Sequence, residues 1–314
     1  MKAVRLKEYG DDINRIVEIN PDIEVPELSS GKVLVKVHAA AVNPIDWKIT
    51  QGYTSQGKEL ESPVTLGGDF TGTIAEVGEG VTEYGKGDDV YGTAIFLAGG
   101  SGAYAQYLST DTKMIAKKPE NANNLEAAAL PLVGVSALDV ITKKIKLQEG
   151  QKILIHGGSG GIGSMAIQIA KHLGAYVATT ARADKTDYLR DLGADKIIDY
   201  KNEKFEDKLS DYDAVFDTVG GDTYKRSYQV LKKGGIIVSM LESPDEELMN
   251  KYQVNAEGQF TQISTDSLQK LAELYDRGVV TVNVDRAFPM DKAVDAMAYQ
   301  RDSSVKGKVV IEID

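Results

Sequence analysis

Gly157-Gly158-Ser159-Gly160-Gly161-Ile162-Gly163 lies between the apolar run Ile153-Leu154-Ile155 and an amphipathic segment from Ser164 to Leu173. Gly158, Gly160 and Gly163 fall at the G-x-G-x-x-G spacing. The triplet before them is short, branched and bounded by turn residues, the pattern of a buried strand. After them Ile162, Ala166, Ile169, Ala170 and Leu173 recur at helical spacing. Strand, glycine turn and helix in that order predict a dinucleotide site. One glycine permits the tight turn, the second lets backbone N–H groups approach a pyrophosphate, and the third lets the helix pack closely on the sheet. The helix N-terminus then offers the anion free donors and a partial positive charge. Gly158, Ser159, Gly160, Gly161, Ile162 and Gly163 are accordingly candidate cofactor-binding residues.

Other readings of the same residues fail on their neighbours. A P-loop needs Lys followed by Ser or Thr after the last glycine, and Ser164-Met165 stands there. Gly157 to Gly161 also satisfies G-x-S-x-G, the nucleophile elbow of hydrolases whose triad runs Ser, acid, His. The only histidine after Ser159 is His172, in the very next helix, where it cannot turn back to the strand end.

The chain has 314 residues, 42% hydrophobic and 26% charged, enough for two domains of ordinary soluble composition. Met1-Lys2-Ala3-Val4-Arg5-Leu6-Lys7-Glu8 places charges where a signal peptide has its apolar core, and no run reaches membrane-span length. A cytoplasmic protein without membrane partners is expected. The absence of cysteine removes disulfides, thiolate nucleophiles and cysteine metal sites together. With His38, His156 and His172 as the only histidines and no H-E-x-x-H, no metal site is expected. Lys plus Arg number 36 against 47 Asp plus Glu, a formal charge of −11, so nucleic acid is not an expected partner. A phosphate-bearing cofactor then needs locally placed cations.

From Met1 to about Asn121, short alternating strands are separated by Gly, Pro and Asp turns, as in Val33 to Ala39 and Thr71 to Val77. This half reads as a β-rich barrel. Its one dense cluster of reactive side chains is Asn43-Pro44-Ile45-Asp46-Trp47-Lys48-Ile49-Thr50-Gln51-Gly52-Tyr53, directly after a strand end. The plain alternative is a loop and first helical turn capped by Asn43 or Asp46, with Lys48 solvated. From about Asn123 the texture changes. Leu125 to Val140 is apolar at helical spacing, and beyond the glycine turn strands alternate with helices. Strands are expected at Tyr176 to Thr180, Lys196 to Ile198, Ala214 to Asp217 and Ile236 to Met240, and helices at Lys185 to Leu192 and Thr223 to Lys232. That alternation predicts right-handed βαβ units and a parallel sheet. Ligands of such sheets lie beyond the carboxyl ends of the strands. Thr180-Ala181-Arg182, Thr218-Val219-Gly220 and Ser239-Met240-Leu241 are therefore the candidate lining loops. A helix from Ser267 to Arg277 leads into Val279 to Val284, a helix around Ala293 to Ala298, and a closing strand, Lys308 to Ile313, placed back with the first half.

With these pieces in order the chain resembles, over nearly its full length, the medium-chain dehydrogenase/reductase superfamily, and within it the zinc-free quinone oxidoreductase and enone reductase branch. The blocks are Ala41 to Lys48, Gly67-Gly68-Asp69-Phe70-Thr71-Gly72, Gly87 to Gly92, Gly102-Ala103-Tyr104-Ala105-Gln106-Tyr107, Ala127 to Pro131, His156 to Gly163, Leu192 to Asp195 and Gly307-Lys308-Val309-Val310. The resemblance implies a GroES-like β-barrel catalytic domain (1–122 and 266–314), a Rossmann NADP-binding domain (123–265) and an active site in the cleft between them. Zinc alcohol dehydrogenases of the superfamily place Cys where this chain has Asn43 and His where it has Gly68, so the resemblance is to the branch that works without metal.

An acid at the end of the second strand takes the ribose hydroxyls of NAD, whereas a nearby cation accommodates the 2′-phosphate of NADP. The equivalent position is about Ala181, between Thr180 and Arg182, with Lys185 just after. Arg182 can fork onto phosphate and Lys185 can act as a point charge. Asp184 alone argues for NAD. In similar quinone reductases a lysine and a tyrosine matching Lys185 and Tyr200 border that phosphate. The expected cofactor is NADPH, held by the glycine turn with Thr180, Arg182, Lys185, Tyr200, Thr218, Val219, Gly220, Ser239 and Met240.

Without metal the expected chemistry is hydride transfer to an acceptor that needs little activation, a quinone or an α,β-unsaturated carbonyl. Approximation supplies roughly 7–11 kcal/mol of such a barrier and an oxyanion donor ~3–4 kcal/mol more. Asn43 is expected to orient the substrate or the nicotinamide ribose, and Lys48 or Tyr53 to polarise the carbonyl or deliver the proton. Several quinone reductases have Tyr where this chain has Lys48. Asp46 is read as structural. The alternatives are an NADPH-binding redox sensor or partner subunit with little turnover, and a reductase of plain ketones or aldehydes, which the missing zinc disfavours. Loops 51–61 and 243–252 are expected to shape the pocket. Val254 to Ile263 extends the sheet across a dimer axis in similar proteins, implying a homodimer.

Overall fold

Alternating apolar residues up to Lys117 form the strands β1 (Ala3–Leu6), β2 (Val17–Asn20), β3 (Lys32–Val42), β4 (Val64–Thr65), β5 (Asp69–Val77), β6 (Asp89–Thr93), β7 (Tyr107–Asp111) and β8 (Ile115–Lys117). The structure is a computed structural model that describes residues 1–54 and 63–313. Residues 55–61 of the loop expected to shape the pocket lie outside the described residues. By contacts the chain divides into one unit of residues 1–132, 263–276 and 282–314 and another of 133–262 and 277–281. Residues 123–132 fall in the first unit because the helix Asn124–Ala129 packs on β3 and β5.

In the first unit β1 lies between β2 and β4 in a small antiparallel sheet. The larger sheet runs β15 (Val284–Pro289), β16 (Lys308–Glu312), β3, β5, β6, β8, with β7 also pairing β3. The closing strand returns to the first half as expected: β16 pairs antiparallel with β3, Val309 opposite Val42 and Val310 opposite Ala41. Its core gathers Val4, Leu6, Val35, Val37, Phe70, Ile74, Tyr104, Leu108 and Ile311, all buried.

The second unit is built on six parallel strands: β9 (Lys152–His156), β10 (Tyr176–Ala181), β11 (Lys196–Asp199), β12 (Tyr212–Asp217), β13 (Leu231–Ser239) and β14 (Asn255–Gly258). Their order, β11-β10-β9-β12-β13-β14, is the doubly wound order with its switch point between β9 and β12. The helix Gly161–His172 follows β9 and buries Met165, Ala166, Ile167, Ile169 and Ala170. No helix among the described residues is long and apolar enough to cross a membrane.

Two helices differ from the sequence expectation. The stretch from Leu125 to Val140 is two helices, Asn124–Ala129 and Pro131–Asp139, followed by a π turn over Val140–Lys144. Pro131 has no N–H with which to continue the first helix, and it suits the start of the second. The helix expected from Thr223 to Lys232 is Gly221–Ser227 plus a 3-10 turn, because Leu231 already pairs with Tyr212 as the first residue of β13. Beyond Gly278 the chain runs without regular structure to Asn283, and β15 begins at Val284.

Candidate active site and cofactor cradle

In the second unit, His156 ends β9 and Gly157 turns the chain at φ +70. A side-chain carbon on Gly158 would meet Thr179 Oγ1 at 2.0 Å, and one on Gly163 would meet the Gly157 carbonyl oxygen at 2.3 Å. These two glycines are required by the protein's own packing. Gly160 is different: a Cβ there would come no closer than 3.4 Å to anything. Its lack of a side chain leaves an open cradle beside the first turn of the Gly161–His172 helix. The N–H groups of that turn cannot be taken by carbonyls of the helix itself. The space and donors fit a pyrophosphate.

The turn is anchored by a neutral histidine. His156 is fully buried, with Nδ1 2.9 Å from Thr180 Oγ1 and Nε2 2.8 Å from Ser227 Oγ. Ser227 Oγ donates to the Thr223 carbonyl at 2.6 Å, so it accepts from Nε2–H, and Nδ1 accepts from the Thr180 hydroxyl. Burial and the Arg226 charge push the imidazole down to about 3. Thr180 Oγ1 also accepts, more weakly, from Gly157 N at 3.4 Å, and the Thr218 hydroxyl donates to the His156 carbonyl at 2.8 Å.

At the carboxyl ends of β10 and β11, Ala181 pairs with Asp199, and Tyr200 N donates to the Ala181 carbonyl at 3.2 Å. This brings Arg182, Lys185 and Tyr200 to one place. Asp184 lies between the two cations, 3.3 Å from Arg182 Nε and 3.6 Å from Lys185 Nζ. Asp199 is engaged by Lys201 N and Asn202 Nδ2 in its own turn. Both carboxylates near the second strand end are therefore occupied.

The two remaining loops are laced to each other. Asp217 Oδ1 accepts from Val219 N and Gly220 N, each at 3.0 Å, and Asp217 Oδ2 accepts from Ser239 Oγ at 2.7 Å. Ser239 Oγ in turn accepts from Leu241 N and Glu242 N. Met240 N donates to the Asp217 carbonyl. Ser239 thus has a hydroxyl fully engaged inside the protein, while Val219 is half exposed. Asp217, which ties the loops, was absent from the sequence candidates. An acid closing a strand before a glycine pair was the available signal.

In the first unit the reactive cluster is the helix Pro44–Thr50 and its flanks. Asn43 precedes it in extended conformation, Pro44 suits its first position, and Asn43 N donates to Asp46 Oδ2 at 2.7 Å. Asn43 is buried at the inner end. Its Nδ2 donates to Asp69 Oδ2 at 2.8 Å, and its Oδ1 accepts from Lys308 Nζ. Tyr104 donates to Asp46 Oδ2 at 2.7 Å. Tyr104 is held in place by Gly67 (φ +90), where a Cβ would come within 2.3 Å of the phenol ring. Asp69 Oδ2 also accepts from Leu132 N at 3.1 Å, and Lys308 Nζ also donates to the Val42 carbonyl at 2.9 Å. Burial raises both carboxyl groups, Asp46 to about 7, and lowers Lys308. At the outer end, the Lys48 ammonium is 5.5 Å from the centre of the Tyr53 ring and 5.8 Å from that of Trp47. Tyr53 is 75% exposed. This segment therefore presents a buried amide at the start of the helix and, past its middle, a half-buried ammonium beside an exposed phenol. Asp69, Tyr104 and Lys308 were not among the sequence candidates, although each stood in a quoted block.

Residues 29–120 match the alcohol dehydrogenase GroES-like domain family, and residues 192–311 match the zinc-binding dehydrogenase family. The 2-methylene-furan-3-one reductase of Solanum lycopersicum is 34% identical over 99% of this chain and 79% of its own length. The chloroplastic NADPH-dependent alkenal/one oxidoreductase of Arabidopsis thaliana shows the same identity and coverage, 34%, 99% and 79%. The solved quinone oxidoreductase of Coxiella burnetii superposes with a TM-score of 0.90 at 32% identity, covering 100% of this chain and 99% of that one. The chain belongs to the medium-chain dehydrogenase/reductase superfamily, in its zinc-free quinone oxidoreductase and enone reductase branch. The donor set agrees with that branch. The Asn43 amide is engaged on both its atoms, and even a methyl group at Gly68 would press Thr93 Oγ1 at 3.3 Å. These residues do not fit a catalytic zinc.

Proposed function

We propose that this protein is an NADPH-dependent, zinc-independent reductase of quinones or α,β-unsaturated carbonyls. The observation that carries the reading is the phosphate end of the second unit. There an open cradle at Gly160 faces a helix N-terminus, and Arg182, Lys185 and Tyr200 gather where an NAD enzyme has a free carboxylate. The named activities of the relatives supply the acceptor class.

When bound, the nicotinamide supplies a hydride. For an enone the β-carbon receives it and an enolate oxygen develops charge; for a quinone the product is a hydroquinone anion. Either needs one hydrogen-bond donor and one proton. Asn43 has a second Nδ2–H without a partner among the described residues, and we assign it to a ligand oxygen. Lys48, with Tyr53 beside it, is assigned the proton. Arg182 and Lys185 hold the 2′-phosphate, with Tyr200 bordering it. Thr180 anchors the turn, and Val219, Gly220 and Met240 line the dinucleotide as backbone and side-chain walls. The edge strand β14, with Phe260 88% exposed just beyond it, is the face assigned to a homodimer.

The test is NADPH oxidation with 9,10-phenanthrenequinone and, separately, with a medium-length 2-alkenal, repeated with NADH and with a chelator. Turnover that prefers NADPH and ignores the chelator is the expected result. Tight NADPH binding with no turnover on any acceptor would replace the reductase by a cofactor-binding redox sensor or partner protein.

A further inference from the structure

The two ends of the Asn43 carboxamide are chemically distinct, and its surroundings read both. Oδ1 faces the Lys308 ammonium, which can only donate; Nδ2 faces the Asp69 carboxylate, which in its ionised form can only accept. Turning the amide over would set NH2 against an ammonium and a carbonyl oxygen against a carboxylate. The amide therefore has one permitted orientation. Both partners are themselves fixed, Lys308 by the Val42 carbonyl and Asp69 by Leu132 N. Asn43, Asp69 and Lys308 are all buried.

We propose that Lys308 and Asp69 are positioning residues for the reaction: together they lock the Asn43 carboxamide so that its second Nδ2–H points its hydrogen bond at an oxygen of the bound cofactor or acceptor. This rests on the role given to Asn43 above and adds two residues to it. Buried ions are a poor means of stabilisation, since well-packed apolar residues in their place are often as good or better. What an ammonium and a carboxylate do here that two leucines would not is tell the two ends of an amide apart. The strand register supplies the placement. Val309 opposite Val42 sets Lys308 opposite Asn43, so the last strand delivers the cation to the end of β3.

The charge of the site supports the arrangement. Asp46, Asp69 and Lys308 would sum to one negative charge if all were ionised. Asp46 Oδ1 is buried without a partner, while Oδ2 takes both the Asn43 N–H and the Tyr104 hydroxyl. A proton on Oδ1 makes the cluster neutral and disturbs none of these bonds. The Asp69 carboxylate and the Lys308 ammonium then stand as one pair of opposite charges around the amide, each favouring the charged form of the other against the desolvation that both suffer.

A double-mutant cycle tests this, with Asn43→Ala, Lys308→Met and the pair, measuring kcat with the better acceptor and Kd for NADPH by fluorescence. If Lys308 acts through Asn43, each single change costs ~10-fold or more and the pair costs no more than Asn43→Ala alone. A loss in kcat with Kd unchanged assigns the N–H to the acceptor oxygen; a loss in Kd with kcat unchanged assigns it to a cofactor hydroxyl. Losses that multiply in the pair overturn the proposal and leave Lys308 a structural ion. Lys308→Gln keeps a donor and is expected to recover part of the loss; it also completes the cycle if Lys308→Met does not fold. An active wild type with a fully active Asn43→Ala ends both this inference and the Asn43 assignment. A wild type inactive on every acceptor ends the reductase reading itself.

Discussion

Each unit buries a titratable network behind the end of a strand, and the two meet the cost of desolvation in opposite ways. Behind β9 the network is neutral. His156 gives one ring nitrogen to Thr180 and the other to Ser227, with the Phe205 ring edge-on at 4.7 Å. Behind β3 it is ionic, with Asp69 and Lys308 flanking an amide and a second acid, Asp46, held protonated up to about 7. A neutral network holds backbone in place, here the glycine turn. An ionic one can fix the sense of a dipole, at the risk of an unpaired charge when one member is lost.

The largest expected effect follows from that risk. Asp69→Leu strands the Lys308 ammonium and one Asn43 N–H in a dry interior, and urea unfolding should show a loss of about 3–5 kcal/mol. His156→Leu strands only two hydroxyls and should lose about 1–3 kcal/mol. Equal losses would break the contrast between the two networks.

The glycines of the turn separate packing from ligand approach. Gly163→Ala forces a carbon against the Gly157 carbonyl and should destabilise the protein by about 1–3 kcal/mol. Gly160→Ala should leave the thermal midpoint near that of the wild type and weaken NADPH binding. An unchanged Kd for Gly160→Ala would remove the cradle from the cofactor site.

Stability against pH sharpens the comparison further. Asp46 is raised from an ordinary 3.8 to about 7, so across that window the native state binds the extra proton and stability falls as pH rises. His156 is lowered from 6.5 to about 3, so the unfolded chain takes the proton first and stability falls as pH drops through that window. Asp46→Asn should flatten the alkaline-going loss between 3.8 and about 7 relative to wild type. A midpoint profile with the same slope in wild type and variant would show that Asp46 is ionised throughout.

The smallest effect belongs to the cations after Thr180. Asp184, itself half exposed, partly neutralises Arg182 and Lys185, so Asp184→Asn should tighten NADPH binding only by about 0.2–1 kcal/mol, and less at high salt. A gain for NADH equal to that for NADPH would detach these residues from the 2′-phosphate.

Much of this was legible in the chain itself. The Gly157 to Gly163 turn and the alternation of strands and helices after it follow from neighbours within about a dozen residues, through turn sterics and burial periodicity. The return of Lys308 to Ile313 to the first half was legible from its likeness to the strands there, and the cations after Thr180 stand in the sequence itself. The same local rules misjudged where helices end, because Pro131 and the pairing of Leu231 with Tyr212 act against apolar periodicity. What the sequence could not show is the partnership of residues 43, 46, 69, 104 and 308. Lys308 in isolation reads as a solvated lysine, and Asp69 as a turn residue. Only the antiparallel register of β16 on β3, and the burial that comes with it, turns them into a dry ionic clamp on one amide. Local sequence sets backbone conformation, but the dielectric around a side chain and the identity of its partner are properties of the closed fold.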